Sequence, residues 1–144
     1  MTESRSLPLR CGNDVHVCDE VGQYSSTENG NAWINRRATS DGHEFTLSGV
    51  GAAPSDVQLD LWKSVDRNLS YYLRVAIEAV PPLPPKGDWD TDGFSRNDLL
   101  LDDVELLTHN SFSIGFHSPY CDEIGLWPDV TFEDKRVTKT EWLV

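Results

Sequence analysis

The stretch of residues 55–80 constrains the fold of this chain more than any other part of its sequence. Apolar residues recur there at steps of three and four, the spacing of the buried stripe of an amphipathic helix. Ser55-Asp56-Val57-Gln58 has the spacing of a capping box at the helix start. Pro81-Pro82 must end the helix, because proline lacks the amide hydrogen and disfavours helical geometry in the residue before it. The sequence therefore predicts one long helix over 55–80, with its stripe on a core. The stripe comprises Val57, Leu61, Trp62, Val65, Leu69, Tyr72, Leu73, Ala76, Ile77 and Val80.

Alternating segments separated by turn residues precede this helix. Val15 and Val17 alternate with polar residues, residues 33–37 form a short extended segment, and residues 45–47 alternate again. Asn29-Gly30 and Asp41-Gly42 are strong turn signals between them, since these residues tolerate positive φ. These features predict two or three antiparallel strands on the N-terminal side.

Further extended segments follow the helix after a loop. Residues 81–98 are rich in Pro, Gly and Asp, which favours a long loop without regular structure. The segments after it are a short helical turn with a strand over 99–107, an alternating strand over 111–116, a turn region over 118–125, and a hairpin of 130–132 with 137–143 across Glu133-Asp134-Lys135. The chain is thus predicted to be a single α+β domain over 1–144, with an antiparallel sheet packed against one long central helix.

The charge of the chain limits its partners. Twenty-four acidic residues against 12 basic ones give a formal net charge of −12. Such a field repels nucleic acids and anionic membranes, and it attracts basic proteins. The sequence lacks an apolar run of the ~20 residues that a membrane helix needs and begins without a secretion signal. These features predict a cytoplasmic protein that binds a basic protein partner.

One loop has a spacing that could bind a cation. Asp88, Asp90, Asp92 and Gly93 resemble the start of a calcium loop, in which alternating carboxylates converge on the ion. The twelfth position of such a loop supplies a bidentate carboxylate, but here it is Leu99. An acidic loop without metal is therefore the main prediction, and no cofactor is expected. Calcium binding at this loop is an alternative, which stabilisation against heat by calcium would reveal.

The sequence contains no recognisable catalytic motif. Zinc ligation by the cysteines and histidines is conceivable, but their spacing is not that of a zinc knuckle, and buried free thiols are the simpler reading. A pairing of Cys121 with His117 or His109 as nucleophile and base is equally unspecific. A non-enzymatic protein is predicted, and the roles of Cys11, Cys18 and Cys121 stay open.

The C-terminal third carries a family likeness. Ser111-Phe112-Ser113-Ile114-Gly115-Phe116, then Asp122-Glu123-Ile124-Gly125-Leu126, then residues 130–137 together resemble the end of small acidic bacterial immunity proteins of polymorphic and contact-dependent toxin systems. The resemblance covers about 45 residues and the helix before them. It implies an inhibitor that neutralises a basic toxin or nuclease by direct binding.

Acidic residues and loop tryptophans are the predicted contacts with that partner, because aromatic side chains ringed by charge are enriched at interfaces. The predicted set is Asp88, Trp89, Asp90, Asp92, Asp102, Asp103, Asp122, Glu123 and Trp127. Two alternatives remain: a DNA-mimicking inhibitor of a host nuclease or defence complex, encoded by a virus or mobile element, and the calcium- or small-ligand-binding module. A DNA mimic should bind several unrelated basic partners, whereas an immunity protein should bind one.

Overall fold

In the part of the chain that the structure describes, eight strands form one sheet whose order in space is the order of the chain. A computed structural model describes residues 15–18, 22–26, 30–39, 41–84, 93–108 and 110–144. The predicted α+β class is confirmed by this sheet and the helices that accompany it. The strands are β1 Val15–Cys18, β2 Gly22–Ser26, β3 Ala32–Ala38, β4 Glu44–Val50, β5 Leu100–Thr108, β6 Ser111–His117, β7 Trp127–Glu133 and β8 Arg136–Leu143. The helices are α1 Asp56–Arg67, α2 Leu69–Ala79 and α3 Pro119–Ile124.

The prediction of an antiparallel sheet is wrong at one position. Strands β4 and β5 are parallel, with Thr46 opposite Asp103 and Gly49 opposite Leu106. The other six pairings are antiparallel. Helices α1 and α2 lie between β4 and β5 in the chain. They carry the chain back to the end of the sheet where β4 begins, so β5 runs in the same direction as β4. The sheet is therefore mixed.

The prediction of one long helix is also wrong, because Asn68 separates α1 from α2. Asn68 has φ −119° and ψ 26°, which is not helical geometry. Its backbone N–H donates to the carbonyl of Val65 at 3.1 Å, and its side-chain amide donates to the carbonyl of Ser64 at 3.0 Å. Asparagine side chains compete for backbone hydrogen bonds in this way, which makes asparagine a poor residue for a helix interior.

The predicted ends of the helical segment are confirmed. Ser55 caps α1: its hydroxyl accepts from the N–H of Gln58 at 3.1 Å, and its own N–H donates to Gln58 Oε1 at 3.0 Å. Val80 already has extended geometry, with φ −60° and ψ 123°, directly before the prolines. The capping box and the proline pair therefore set the start and the end of the segment.

Gln58 also joins α1 to the sheet. Its Oε1 accepts a second hydrogen bond from the buried indole N–H of Trp33 at 2.9 Å, and its Nε2 donates to the carbonyl of Val50 at 2.9 Å. The side chain is itself buried. A polar group in such a place is tolerated because its donors and acceptors are satisfied.

The core lies between the helices and one face of the sheet. Phe112 and Phe132 stack with their ring centroids 4.9 Å apart. Tyr72 of α2 meets both rings edge-on, at 5.1 Å and 5.2 Å. Trp62 of α1 and Cys121 of α3 belong to the same buried cluster. Each of the three helices thus contributes to one hydrophobic layer.

The predicted turn over 118–125 contains a short helix, α3. The Ser118 hydroxyl accepts from the N–H of Cys121 at 3.1 Å, and Pro119 occupies the first turn. Gly125 ends the helix with φ 75°, a left-handed conformation that glycine adopts without strain. Serine, proline and glycine at these positions are standard helix boundaries, so the sequence contained this signal.

The predicted C-terminal hairpin is confirmed. Strands β7 and β8 pair from Trp127 opposite Leu143 to Glu133 opposite Arg136. The two turn residues, Asp134 and Lys135, have φ of 50° and 69°. Positive φ at both positions is the geometry that matches the twist of a two-residue hairpin.

The loop predicted over 81–98 is described only in part. Residues 85–92, including the proposed calcium ligands Asp88, Asp90 and Asp92, lie outside the described residues. Arg96–Asp98 form one turn of 3₁₀-helix, a short regular element that the loop prediction did not include. The strand expected over 99–107 is confirmed as β5. In the described part of the chain, no helix is long and apolar enough to cross a membrane.

Candidate binding surface

The sheet face opposite the helices carries a patch of polar residues, here called the polar face. It arises because core residues alternate with polar ones along β5 to β8. The strand register aligns them in two rows: Asp103, Gly115, Asp129 and Glu141 in the first, and Glu105, Ser113, Thr131 and Lys139 in the second. The first row therefore holds three carboxylates and one glycine.

Gly115 provides the space that the central carboxylates occupy. A Cβ atom at this position would overlap the Asp103 carboxylate and would lie 3.4 Å from Asp129 Oδ1. The carboxylates of Asp103 and Asp129 thus lie over Gly115 from its two neighbouring strands. Glycine in a strand interior often marks such a close approach.

Burial and mutual repulsion raise the pKa of these two carboxyl groups. The pKa of Asp103 rises from 3.8 to about 7, mainly through burial and then through the negative charges of Asp102, Asp129 and Glu105. The pKa of Asp129 rises to about 6, again mainly through burial and then through Glu141 and Glu105, while Lys139 opposes the shift. Near neutral pH the two carboxyl groups are therefore partly protonated, whereas an ordinary aspartate would be almost fully ionised.

The polar face ends in a group of aromatic and acidic residues. The indole N–H of Trp127 donates to Asp122 Oδ1 at 2.8 Å, and His117 Nδ1 lies 3.9 Å from Asp122 Oδ2. His43 stacks on His117 with ring centroids 5.7 Å apart. Asp122 thus orients Trp127 beside the carboxylate row, since Trp127 and Asp129 lie on the same side of β7.

A cleft of about 670 Å³ opens near this end of the sheet. Asp98 and Glu123 supply carboxylates to its wall, and Leu100 and Tyr120 supply apolar surface. Leu100 is 43% exposed, so its side chain adds accessible apolar surface to the cleft. A lysine or arginine side chain matches these walls, because its aliphatic stem can cover apolar surface while its charged end meets carboxylates.

The structure brings some of the sequence-predicted contact residues together. Asp103 lies on the polar face, Asp122 and Trp127 lie at its end, and Glu123 lies in the cleft. Asp102 is exposed, at a register shift between Leu101 and Asp103. The remaining predicted contacts, Asp88, Trp89, Asp90 and Asp92, are outside the described residues.

Sequence reasoning missed three acidic residues of the polar face: Glu105, Asp129 and Glu141. Each alternates with core-facing residues of its strand, so strand periodicity could have found them. Their alignment into rows depends on strand register, which a single sequence does not reveal here.

The described residues include no group of three or more His, Cys, Asp or Glu side chains arranged to hold a metal ion. Cys121 is fully buried in the core, and burial raises the pKa of its thiol. That environment suppresses the thiolate form that catalysis or zinc ligation requires. Cys11 and the side chains of His16 and Cys18 lie outside what the structure describes.

No protein-family model matches the chain, and neither the search of curated proteins nor the search of solved structures returns a match.

Proposed function

We propose that this chain is a non-enzymatic acidic binding protein that neutralises a basic toxin or nuclease by direct binding. The observation that carries the proposal is the row of carboxylates on the polar face, from Asp103 through Asp129 to Glu141. Their alignment places three carboxyl groups on one side of the sheet, with the Lys139 ammonium 3.4 Å from Glu141 at one end, and this excess of acidic groups suits the recognition of a cationic surface.

The raised pKa values of Asp103 and Asp129 in the free protein support a binding role. Carboxylates that repel each other and are partly buried are destabilised when ionised. A cationic side chain placed over Gly115 would relieve the repulsion between Asp103 and Asp129. Binding would then favour the ionised form and release protons, so affinity should increase as the pH rises from 6 to 8 through the pKa values of about 6 and about 7.

The aromatic end of the polar face and the cleft add apolar contacts, which a purely charged surface lacks. Trp127, held by Asp122, offers an apolar anchor beside the row, and the cleft between Leu100 and Glu123 fits a lysine or arginine side chain. Interfaces gain most of their affinity from such buried anchors, while surrounding charges mainly accelerate association.

Capture of the partner from source lysate at low salt, with matched variants, tests the proposal. The binding-face variant is Asp103→Asn/Asp129→Asn/Glu141→Gln. The control, Asp60→Asn/Asp66→Asn/Glu78→Gln, removes the same number of charges from exposed positions on α1 and α2. We expect one stoichiometric basic protein to bind the wild type and the control, and to bind the binding-face variant at least tenfold more weakly.

A partner that binds both variants equally would contradict the role of the polar face. The captured protein should also lose its toxic or nuclease activity when one equivalent of this chain is added. Binding without inhibition would contradict the neutralising role. Several unrelated basic proteins displaced by DNA would instead favour the DNA-mimic alternative.

A further inference from the structure

We propose that the outer edge of β8 is a dimer interface, to which a second copy of this chain adds its own β8 in antiparallel orientation, centred on Thr140. Of the strands that the structure describes, only β7 pairs with β8, so β8 is an edge of the sheet. Exposed strand edges are templates for pairing with another strand. The proposal shares Glu141 with the proposed binding to a basic protein, so its tests use this chain alone, without a partner.

The register with β7 determines which backbone groups face the outer edge. Pro128 lies opposite Trp142, and proline has no N–H to donate. This pair is therefore of the non-hydrogen-bonded kind, and by alternation so is the pair of Val130 with Thr140. The backbone N–H and C=O groups of Thr140 and Trp142 consequently point away from β7 and are available to a further strand.

The sequence of β8 is complementary to itself about Thr140. Antiparallel pairing centred there places Thr140 opposite Thr140 of the second copy in a hydrogen-bonded pair. It places Lys139 opposite Glu141, and two-fold symmetry makes this charge pair twice.

Neighbouring registers lack this complementarity. A shift of the centre to residue 139 places Lys139 opposite its own copy, and a shift to residue 141 places Glu141 opposite its own copy. Like charges directly opposite each other destabilise a strand pair. Of these three registers, the one centred on Thr140 avoids like charges. Lys139 Nζ and Glu141 Oε2 lie 3.4 Å apart within each chain, so this register brings two such ion pairs together across the two-fold axis, which points to a second copy as the occupant of the edge. Since each chain carries −12, the dimer should form more strongly at physiological salt than at low salt.

Sedimentation equilibrium of three proteins tests the interface. Thr140→Pro removes both N–H donors of the central pair, one from each copy, and proline is tolerated at an edge position whose N–H faces outward. Thr140→Val changes the side chain and keeps the donor. We expect the wild type and Thr140→Val to form dimers, and Thr140→Pro to raise the dissociation constant at least tenfold while its circular dichroism stays native. A wild type that remains monomeric at about 100 μM would overturn the proposal, as would undiminished dimerisation of Thr140→Pro.

Disulfide crosslinking tests the register without disturbing the backbone. In a Cys11→Ser/Cys18→Ser background, with Cys121 buried, a single Thr140→Cys or Lys139→Cys substitution is introduced. The Cα atoms of a hydrogen-bonded antiparallel pair are about 5.5 Å apart, within disulfide range, whereas a diagonal pair is about 7–8 Å apart. Faster crosslinking of Thr140→Cys supports the register, and equal or faster crosslinking of Lys139→Cys overturns it.

Discussion

At the scale of single residues, Asp103 links the stability of the fold to pH. Its pKa is raised from 3.8 to about 7 in the folded protein. Between these values the native state binds more protons than the unfolded chain, so this residue makes stability fall as the pH rises from about 4 to about 7. Ionised Asp103 is thus a destabilising group at neutral and alkaline pH.

Replacing Asp103 with asparagine should therefore stabilise the protein at high pH. We expect Asp103→Asn to increase the free energy of unfolding by about 1–3 kcal/mol at pH 8. The gain should be smaller at pH 5, where the native carboxyl is protonated and only the unfolded chain has lost the proton. Urea unfolding at both pH values measures the difference. Asp60, exposed on α1, provides the control, since Asp60→Asn should change stability only slightly at either pH. An equal gain at pH 5 and pH 8 would contradict the linkage.

Two strand glycines should respond differently to alanine. A Cβ atom on Gly49 would lie 2.6 Å from Trp33 Nε1, and the Trp33 ring is fully buried. A Cβ atom on Gly115 would meet the end of the Asp103 side chain, which can rotate away. We expect Gly49→Ala to destabilise the fold by about 2–4 kcal/mol and Gly115→Ala by about 1 kcal/mol or less, as measured by chemical denaturation. Similar losses for the two variants would show that the space around Trp33 can adjust.

At the scale of elements, the sequence predicts the boundaries of structure better than its interior. Ser55 with Gln58, and the proline pair after Val80, act locally, so their effects could be inferred without tertiary contacts. The break at Asn68 interrupts an apolar stripe that itself continues, and side-chain hydrogen bonding to Ser64 overrode that pattern. The parallel pairing of β4 with β5 depends on the end of the sheet at which α1 and α2 return the chain. Hydrophobic periodicity in the sequence does not predict that position.

The candidate site follows the same division. Asp103 and Trp127 were identifiable as charged or aromatic residues in suitable segments. Asp129 and Glu141 could be assigned to the polar face only from the strand register, which aligns them with Gly115. Residue type is known from the sequence alone, whereas the alignment of the carboxylates depends on the strand register of the folded sheet.

Gln58 is the strongest test of how α1 is held on the sheet. Gln58→Leu preserves the approximate volume but leaves the Trp33 N–H and the Val50 carbonyl without this partner. We expect a loss of about 2–4 kcal/mol in the free energy of unfolding. Asp60→Leu, at an exposed position of the same helix, should change stability by less than about 0.5 kcal/mol. Thermal and urea unfolding measure both variants. Equal losses of stability in Gln58→Leu and Asp60→Leu would contradict the anchoring role of Gln58.

At the scale of the whole molecule, the net charge of −12 opposes the compact state through self-repulsion. Raising sodium chloride from about 10 mM to about 300 mM should increase the melting temperature by a few degrees, because the Debye length falls below the spacing of many surface charges. The Asp103→Asn/Asp129→Asn/Glu141→Gln variant, with three fewer negative charges, should gain less. A melting temperature independent of salt in both proteins would show that repulsion is not limiting.

The sequential strand order has a consequence for synthesis on the ribosome. Strands β1 to β4 emerge first, and each can pair with its predecessor through contacts that are close along the chain. The inner faces of β3 and β4, with Trp33 and Phe45, cannot be covered until α1 and α2 follow, and the parallel pairing waits longer still for β5. The nascent chain thus passes through a stage in which half of the sheet can form while its apolar side is still bare, and at that stage it is most exposed to aggregation and to capture by chaperones.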